Sequence, residues 1–243
     1  MKCEIEFKED LTSIPIEDLN VYRVIFVDNG FYARIDFRGV PHYISLLNGK
    51  LTVYSKELFQ IIKEIDFDSC DQNKLIEGVL DEVVFLLGTI RTKLFERFDE
   101  LFEKVTEGKL KDVEEIKDLR KEIQTLYLDS SSLYYLSKKL SKYISKDLQD
   151  DIAFAYERAE ILITRSADLY NIYLTEIQNK LNIIIKKLTS ISFIFLPVTA
   201  IASIYAVSYS SLPSNFANED TIIFLSPLLG IILTIYLRKI GWL

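Results

Sequence analysis

The sequence predicts an α+β chain whose C-terminal part lies in a membrane: a small N-terminal α/β part, a helical middle, a long stalk helix and two transmembrane helices. Three observations carry this. Of the 243 residues, 49% are hydrophobic and 27% charged, with a net charge of −7, yet from Leu188 onward the only charged side chains are Glu219, Asp220, Arg238 and Lys239. Before that point, short β-rich runs occupy the first fifty residues and give way to helical periodicity. No Gly or Pro interrupts residues 147–196. So complete a separation of charge implies two solvents for one chain.

Residues 1–70 form the sheet part. Residues 3–7, 21–27, 31–37 and 42–47 are rich in β-branched and aromatic side chains, and read as strands. Asp28-Asn29-Gly30 and Asn48-Gly49 are tight-turn signals, because Asn and Gly accept positive φ. Together they predict a small, largely antiparallel sheet. A short helix opens at Ser55.

Residues 71–146 are helical and cytoplasmic. One helix is expected over about 72–106, where Leu75, Val79, Val83, Leu86 and Leu87 recur at helical spacing and Gly108 ends the run. A second spans about 110–142, with a polar break at Asp129-Ser130-Ser131-Ser132. The stalk covers 147–187 and runs into the apolar segment, in total roughly 60 residues or about 90 Å of helix.

Residues 188–209 contain no charge and are long enough, at about 22 residues, to cross a hydrocarbon core. Residues 221–237, about 17 residues, are at the short end of that range. Lys180, Lys186 and Lys187 precede the first span, Arg238 and Lys239 follow the second, and the loop 210–220 has neither Lys nor Arg. The positive-inside rule then places both termini and the basic tail 238–243 in the cytoplasm of a multi-pass cell-membrane protein.

Within the first span Asn182, Ile185, Thr189, Ser192, Leu196, Thr199 and Ser203 follow one another at steps of three and four. They form a narrow stripe more polar than the faces holding Phe193, Ile194, Phe195, Val198 and Ile201. Two readings stay open: small hydroxyl residues at a close helix contact, or a water-facing stripe around a pore. The pore reading requires several copies.

The remaining chemistry is sparse. The acidic balance argues against a nucleic-acid partner. His42 is the sole histidine, and no phosphate loop, HExxH or GxSxG pattern occurs, so no enzyme and no resident cofactor is expected. Cys3 and Cys70, far apart and outside any metal-binding spacing, are read as two reduced thiols. Nothing in the N-terminal residues reads as a cleavable signal.

These residues resemble the CorA family of divalent-cation channels. Leu196-Pro197-Val198-Thr199 matches the family's apolar-Pro-apolar-Thr element, Ile204-Tyr205 the residues before its signature, and Arg238-Lys239-Ile240-Gly241-Trp242-Leu243 its basic tail ending in Trp-Leu. The resemblance implies a homo-oligomer, a pentamer, that passes Mg2+ or another divalent ion such as Co2+, Ni2+ or Zn2+. It aligns Asn182 with the inner mouth and Leu188 and Leu196 with apolar constrictions.

The Gly-Met-Asn signature falls at Ala206, Val207 and Ser208, and all three differ. A hydroxyl ring from Ser208 then replaces a ring of amides at the outer mouth. Pro213 is followed by Ser214 rather than an acid. Glu219 and Asp220 either restore an external acidic ring or cap the second span. The resemblance makes Asp147 a regulatory metal ligand between subunits; as a residue at a helix start it is equally an N-cap. A chain lacking the signature also fits a non-conducting membrane scaffold or regulator.

Overall fold

The computed structural model describes residues 3, 5–67, 69–110, 112–208 and 219–242; for 204–206, 208 and 219–226 it describes the backbone alone. The chain divides into two compact units, Met1–Tyr173 and Leu174–Leu243. A 63-residue helix, α5 (Lys146–Ser208), belongs to both.

The first unit holds a five-stranded sheet and the helices that cover it. Strands β1 (Glu6–Phe7), β2 (Val24–Val27), β3 (Gly30–Phe37), β4 (Val40–Leu47) and β5 (Lys50–Val53) lie in the order β1-β5-β4-β3-β2. All pairs are antiparallel except β1 with β5. Side chains alternate across a strand, so Phe31, Ala33, Ile35 and Phe37 of β3 share one face and are buried there with Ile44, Leu46, Leu51 and Val53.

Against that face pack α2 (Lys56–Lys63), α3 (Gln72–Thr106), α4 (Glu114–Lys139) and the first part of α5, with Ile62, Val79, Leu87, Ile123, Leu133 and Ile152 among the buried positions. Helix α1 (Ile16–Tyr22) covers part of the opposite face, where its Leu19 clusters with Ile14, just before the helix, and Tyr43 of β4.

Four expectations are corrected here. Residues 21–27 are not one strand: α1 runs through Tyr22 and stops at Arg23, which takes φ 64° before β2 begins. Its side chain explains the stop, because the guanidinium donates from Nε to Ser132 Oγ at 3.0 Å and reaches Asp36 at 3.5 Å. Asp129 to Ser132 do not break α4. Asp129, Ser130 and Ser132 are interior residues of the helix, where Ser132 Oγ donates to Asp36 at 2.6 Å and Asp129 accepts from the Gly39 amide at 3.0 Å.

Third, Cys3 and Cys70 are not two reduced thiols. They form a disulfide across 67 residues, with Cα atoms 5.5 Å apart. Spacing alone hides the pairing, because the parallel β1–β5 contact is what carries the N-terminal segment to the connection between α2 and α3. Fourth, Asp147 is not the cap of α5: Ser145 Oγ accepts from the Leu148 amide at 3.3 Å, leaving Asp147 exposed in the first turn.

Burial pushes Asp129 up to about 6, with the neighbouring Asp36 charge adding to the effect. The folded chain therefore binds this proton more tightly than the unfolded chain, whose carboxyl has an ordinary value near 3.8. Stability is then highest below about pH 4 and declines as pH rises to about 6. Asp129→Asn keeps an acceptor for Gly39 and removes the buried charge. It is expected to raise unfolding stability at pH 7.5 by about 1–3 kcal/mol and to have little effect at pH 4, read from thermal midpoints at both pH values.

Candidate functional site

In the second unit α5 packs against α6 (Glu219–Lys239). The side chains of α5 turned to that contact are Ser190, fully buried, and the half-buried Ile194, Pro197, Val198 and Ile201. Across from them a Cβ on Gly230 would stand 3.9 Å from Ile194 Cγ2 and 4.0 Å from Val198 Cγ2. A small residue at this point lets the backbones approach.

The C-terminal end is fastened to the same face. Gly241 takes φ 73° and the amide of Trp242 donates to the Leu237 carbonyl at 3.0 Å, a left-handed helix ending that suits glycine. Ser190 Oγ then donates to the Trp242 carbonyl at 3.3 Å. Sequence reading passed over Ser190 because its hydroxyl looks like those of the stripe; its only signal was falling outside the three- and four-residue steps.

The stripe lies on the other side of α5. At 100° per residue the positions 182, 185, 189, 192, 196, 199 and 203 centre roughly 155° from the α6-facing set. All seven are exposed, Leu188 as well, with Ile185 at 58%, Leu188 at 64% and Leu196 at 66%. Phe193 and Phe195 flank the stripe and are exposed too.

The hydroxyls along it are oriented. Ser192 donates to the Leu188 carbonyl at 3.1 Å, Thr199 to Phe195 and Leu196 at 3.0 Å each, and Ser203 to Thr199 at 2.7 Å. A hydroxyl has one proton and two acceptor lone pairs. With the proton turned back into the helix, the lone pairs point outward, and a row of outward oxygens attracts cations rather than anions.

The predicted outer mouth lies largely outside the described residues. Val207 is 86% exposed; the side chains of Ala206, Ser208, Glu219 and Asp220 lie outside them, as does the loop from 209 to 218. The backbone places Ser208 at the end of α5 and Glu219 and Asp220 at the start of α6.

Asp147 lies in the first unit, on a groove of about 330 Å³ whose other carboxylates are Asp66, Glu77, Asp81, Glu82 and Asp151. Glu77 is held below the usual carboxylate range by its hydrogen bond from Lys74. Among the described residues no three carboxylate, His or Cys groups converge to hold a metal ion.

One helix among the described residues is long and apolar enough to cross a membrane: α5, whose apolar window is only 6% buried. That exposure excludes the core helix of a globular domain, which would be covered on most sides. The family profile described as CorA-like Mg2+ transporter protein matches residues 48–239, from the turn before β5 to the last turn of α6. The chain belongs to this family.

Among curated CorA-like proteins, the cobalt/magnesium transport protein CorA of Thermotoga maritima is 26% identical over 180 residues, which make up 70% of this chain and 51% of that protein. The chain thus spans about half the length of the curated relative it matches. The fold is also similar to two solved structures. The CorA magnesium transporter of Methanocaldococcus jannaschii aligns over 95% of this chain and 84% of that one, with a TM-score of 0.67 at 20% identity. The full-length CmaX protein aligns over 89% and 77%, with a TM-score of 0.61 at 12% identity. The CorA-like fold, with its N-terminal α/β part and long helix, is therefore established for this chain.

Proposed function

We propose that this CorA-like chain is one subunit of a homo-oligomeric, pentameric channel for divalent cations in the cell membrane. In this reading α5 and α6 both cross the bilayer and both termini are cytoplasmic. The exposed stripe lines the pore: Asn182 lies at the inner mouth, Leu188 and Leu196 form apolar constrictions, and Ile185, Thr189, Ser192, Thr199 and Ser203 complete the wall. Ser208 offers oxygen at the outer mouth, beside Ala206 and Val207, with Glu219 and Asp220 as an external acidic ring. The cation, Mg2+ or another such as Co2+, Ni2+ or Zn2+, is cargo and also the regulatory ion.

The observation that carries this reading is the position of the stripe opposite the α6 contact. A helix that served only as an anchor has no need of outward oxygens on the face its partner leaves free. One two-span subunit cannot enclose water, so the stripe requires further copies. Asp147 is assigned a regulatory metal shared with a neighbouring subunit, because among the described residues the carboxylates of one chain do not close around an ion.

A second reading, a non-conducting scaffold of the same family, is favoured by one feature: Ala206, Val207 and Ser208 replace the Gly-Met-Asn signature. Flux into proteoliposomes separates the two. Mg2+, Co2+, Ni2+, Zn2+ and Na+ are compared, and uptake of at least one divalent ion above Na+ is expected. Asn182→Leu is expected to reduce it by about tenfold, the equivalent of about 1.4 kcal/mol of barrier. Absence of uptake for every ion would transfer the assignment to the scaffold.

A further inference from the structure

The first unit contains a second groove, of about 410 Å³, between α3 and the first part of α5. Arg91, Phe95, Glu96, Arg158, Ile161 and Arg165 line it. Arg158 and Arg165 are seven residues apart and so share one face of α5. Arg91 and Arg158 both stand over the ring of Phe154, at 5.6 and 4.9 Å from its centroid, and Arg165 stands 5.8 Å from that of Phe95.

Like Arg120, which stands over the ring of Tyr170, these arginines lean on aromatic rings; unlike Arg120, the three line one groove. Arg23 and Arg34 reach Asp36, Arg38 reaches Glu57 and Arg97 reaches Glu122. Among the described residues Arg91, Arg158 and Arg165 reach no carboxylate. Two guanidiniums therefore share one ring without a counter-charge, in a chain whose net charge is −7. Glu96 is the one acidic side chain lining the groove.

A guanidinium lying over an aromatic ring keeps its in-plane N–H donors free, in a fork that matches phosphate oxygens. The rings hold the arginines in place. Recognition would rest on charge and on donor geometry alone. We propose that this groove binds a small phosphate-bearing polyanion of the diphosphate class, gripped by Arg91, Arg158 and Arg165. The site is independent of the pore reading, since it needs no ion flux.

Calorimetric titration of the full chain in neutral detergent with inorganic pyrophosphate tests the proposal. Saturable binding is expected, weakened at least tenfold in Arg158→Gln/Arg165→Gln and unchanged in Arg97→Gln, whose guanidinium lies outside the groove. The pair Arg158→Lys/Arg165→Lys, which keeps the charge and loses the forks, is expected to fall between, a result that general loss of folding would not give. Repeating the titration in nanodiscs with and without phosphatidylglycerol separates the sources of phosphate: competition by the lipid assigns the site to a headgroup, its absence to a free anion. Equal binding by the wild type and the Gln pair overturns the proposal. So does absence of binding by the wild type; a lower oligomeric mass for the Gln pair would then mean that carboxylates of a second copy fill the groove.

Discussion

Replacing Thr199 by valine and Ser203 by alanine together is expected to lower divalent-cation flux about 100-fold while leaving the assembled chain intact. Each substitution removes one outward oxygen. A contact between such an oxygen and a charged group contributes about 1.5 kcal/mol, so two layers raise the barrier by about 3 kcal/mol, or about 100-fold in rate. The change should not disturb the helix, because both hydroxyls donate only to carbonyls of α5 itself, which are already engaged in the helix ladder.

Thr234 provides the control. Its hydroxyl donates to the Gly230 carbonyl at 2.7 Å, the same local geometry, but it lies on α6 rather than on the stripe. Thr234→Val is expected to leave flux within about twofold, a difference under 0.5 kcal/mol. Equal losses from the two variants would show that the stripe has no special relation to the ion path.

How far such a site could be read in advance depends on what the signal was made of. The stripe was legible because a helical period is a property of one chain segment. Which face α6 covers was not, since Ser190 and Ser192 are chemically alike and only packing assigns one to the Trp242 carbonyl and the other to the open face. The strands β3 and β4 followed from their β-branched and aromatic residues, and the turn after β4 from Asn48-Gly49, whose φ values of 51° and 78° are those of a tight two-residue turn.

The β3–β4 turn was not legible. Arg38 is a poor turn former, yet it takes φ 55° beside Gly39 at 74°, held by the Asp129 carboxylate on the Gly39 amide and by its own guanidinium over Phe37. The partner lies 90 residues away, beyond the reach of any local rule. For the same reason Asp129 to Ser132 read as a break: polar residues inside a helix are explained only once the groups they bond are known. The α1 segment was lost to its own composition, because Val-Tyr-Arg-Val-Ile-Phe-Val has strong strand propensity and the helix end within it is imposed by Asp36 and Ser132.

Gly30→Ala is expected to have the largest effect on folding, a loss of at least about 4 kcal/mol, the range reserved for backbone collisions and comparable defects. Asp28-Asn29-Gly30 read as a turn that needs glycine for positive φ, and Gly30 is required for that reason and for a second one. It opens β3 with φ 147° and pairs with Val27 on one side and Leu47 on the other. A Cβ at this position would lie 1.8 Å from the Leu46 carbonyl oxygen and 2.9 Å from its carbon. Those are main-chain atoms of the adjacent strand, so no side-chain rotation relieves the contact and the ladder itself must open. Its neighbours in register, Phe31 and Leu46, are fully buried against the helices, and opening the ladder would draw them out of the core. Gly49→Ala makes the comparison: a Cβ there meets nothing within 4 Å, and only φ 78° opposes it, a cost of about 1–2 kcal/mol. Amide hydrogen exchange in β3 and β4 of the full chain should therefore accelerate far more for Gly30→Ala than for Gly49→Ala. If the two variants exchange alike, the close approach of β3 to β4 is not what selects glycine at this position.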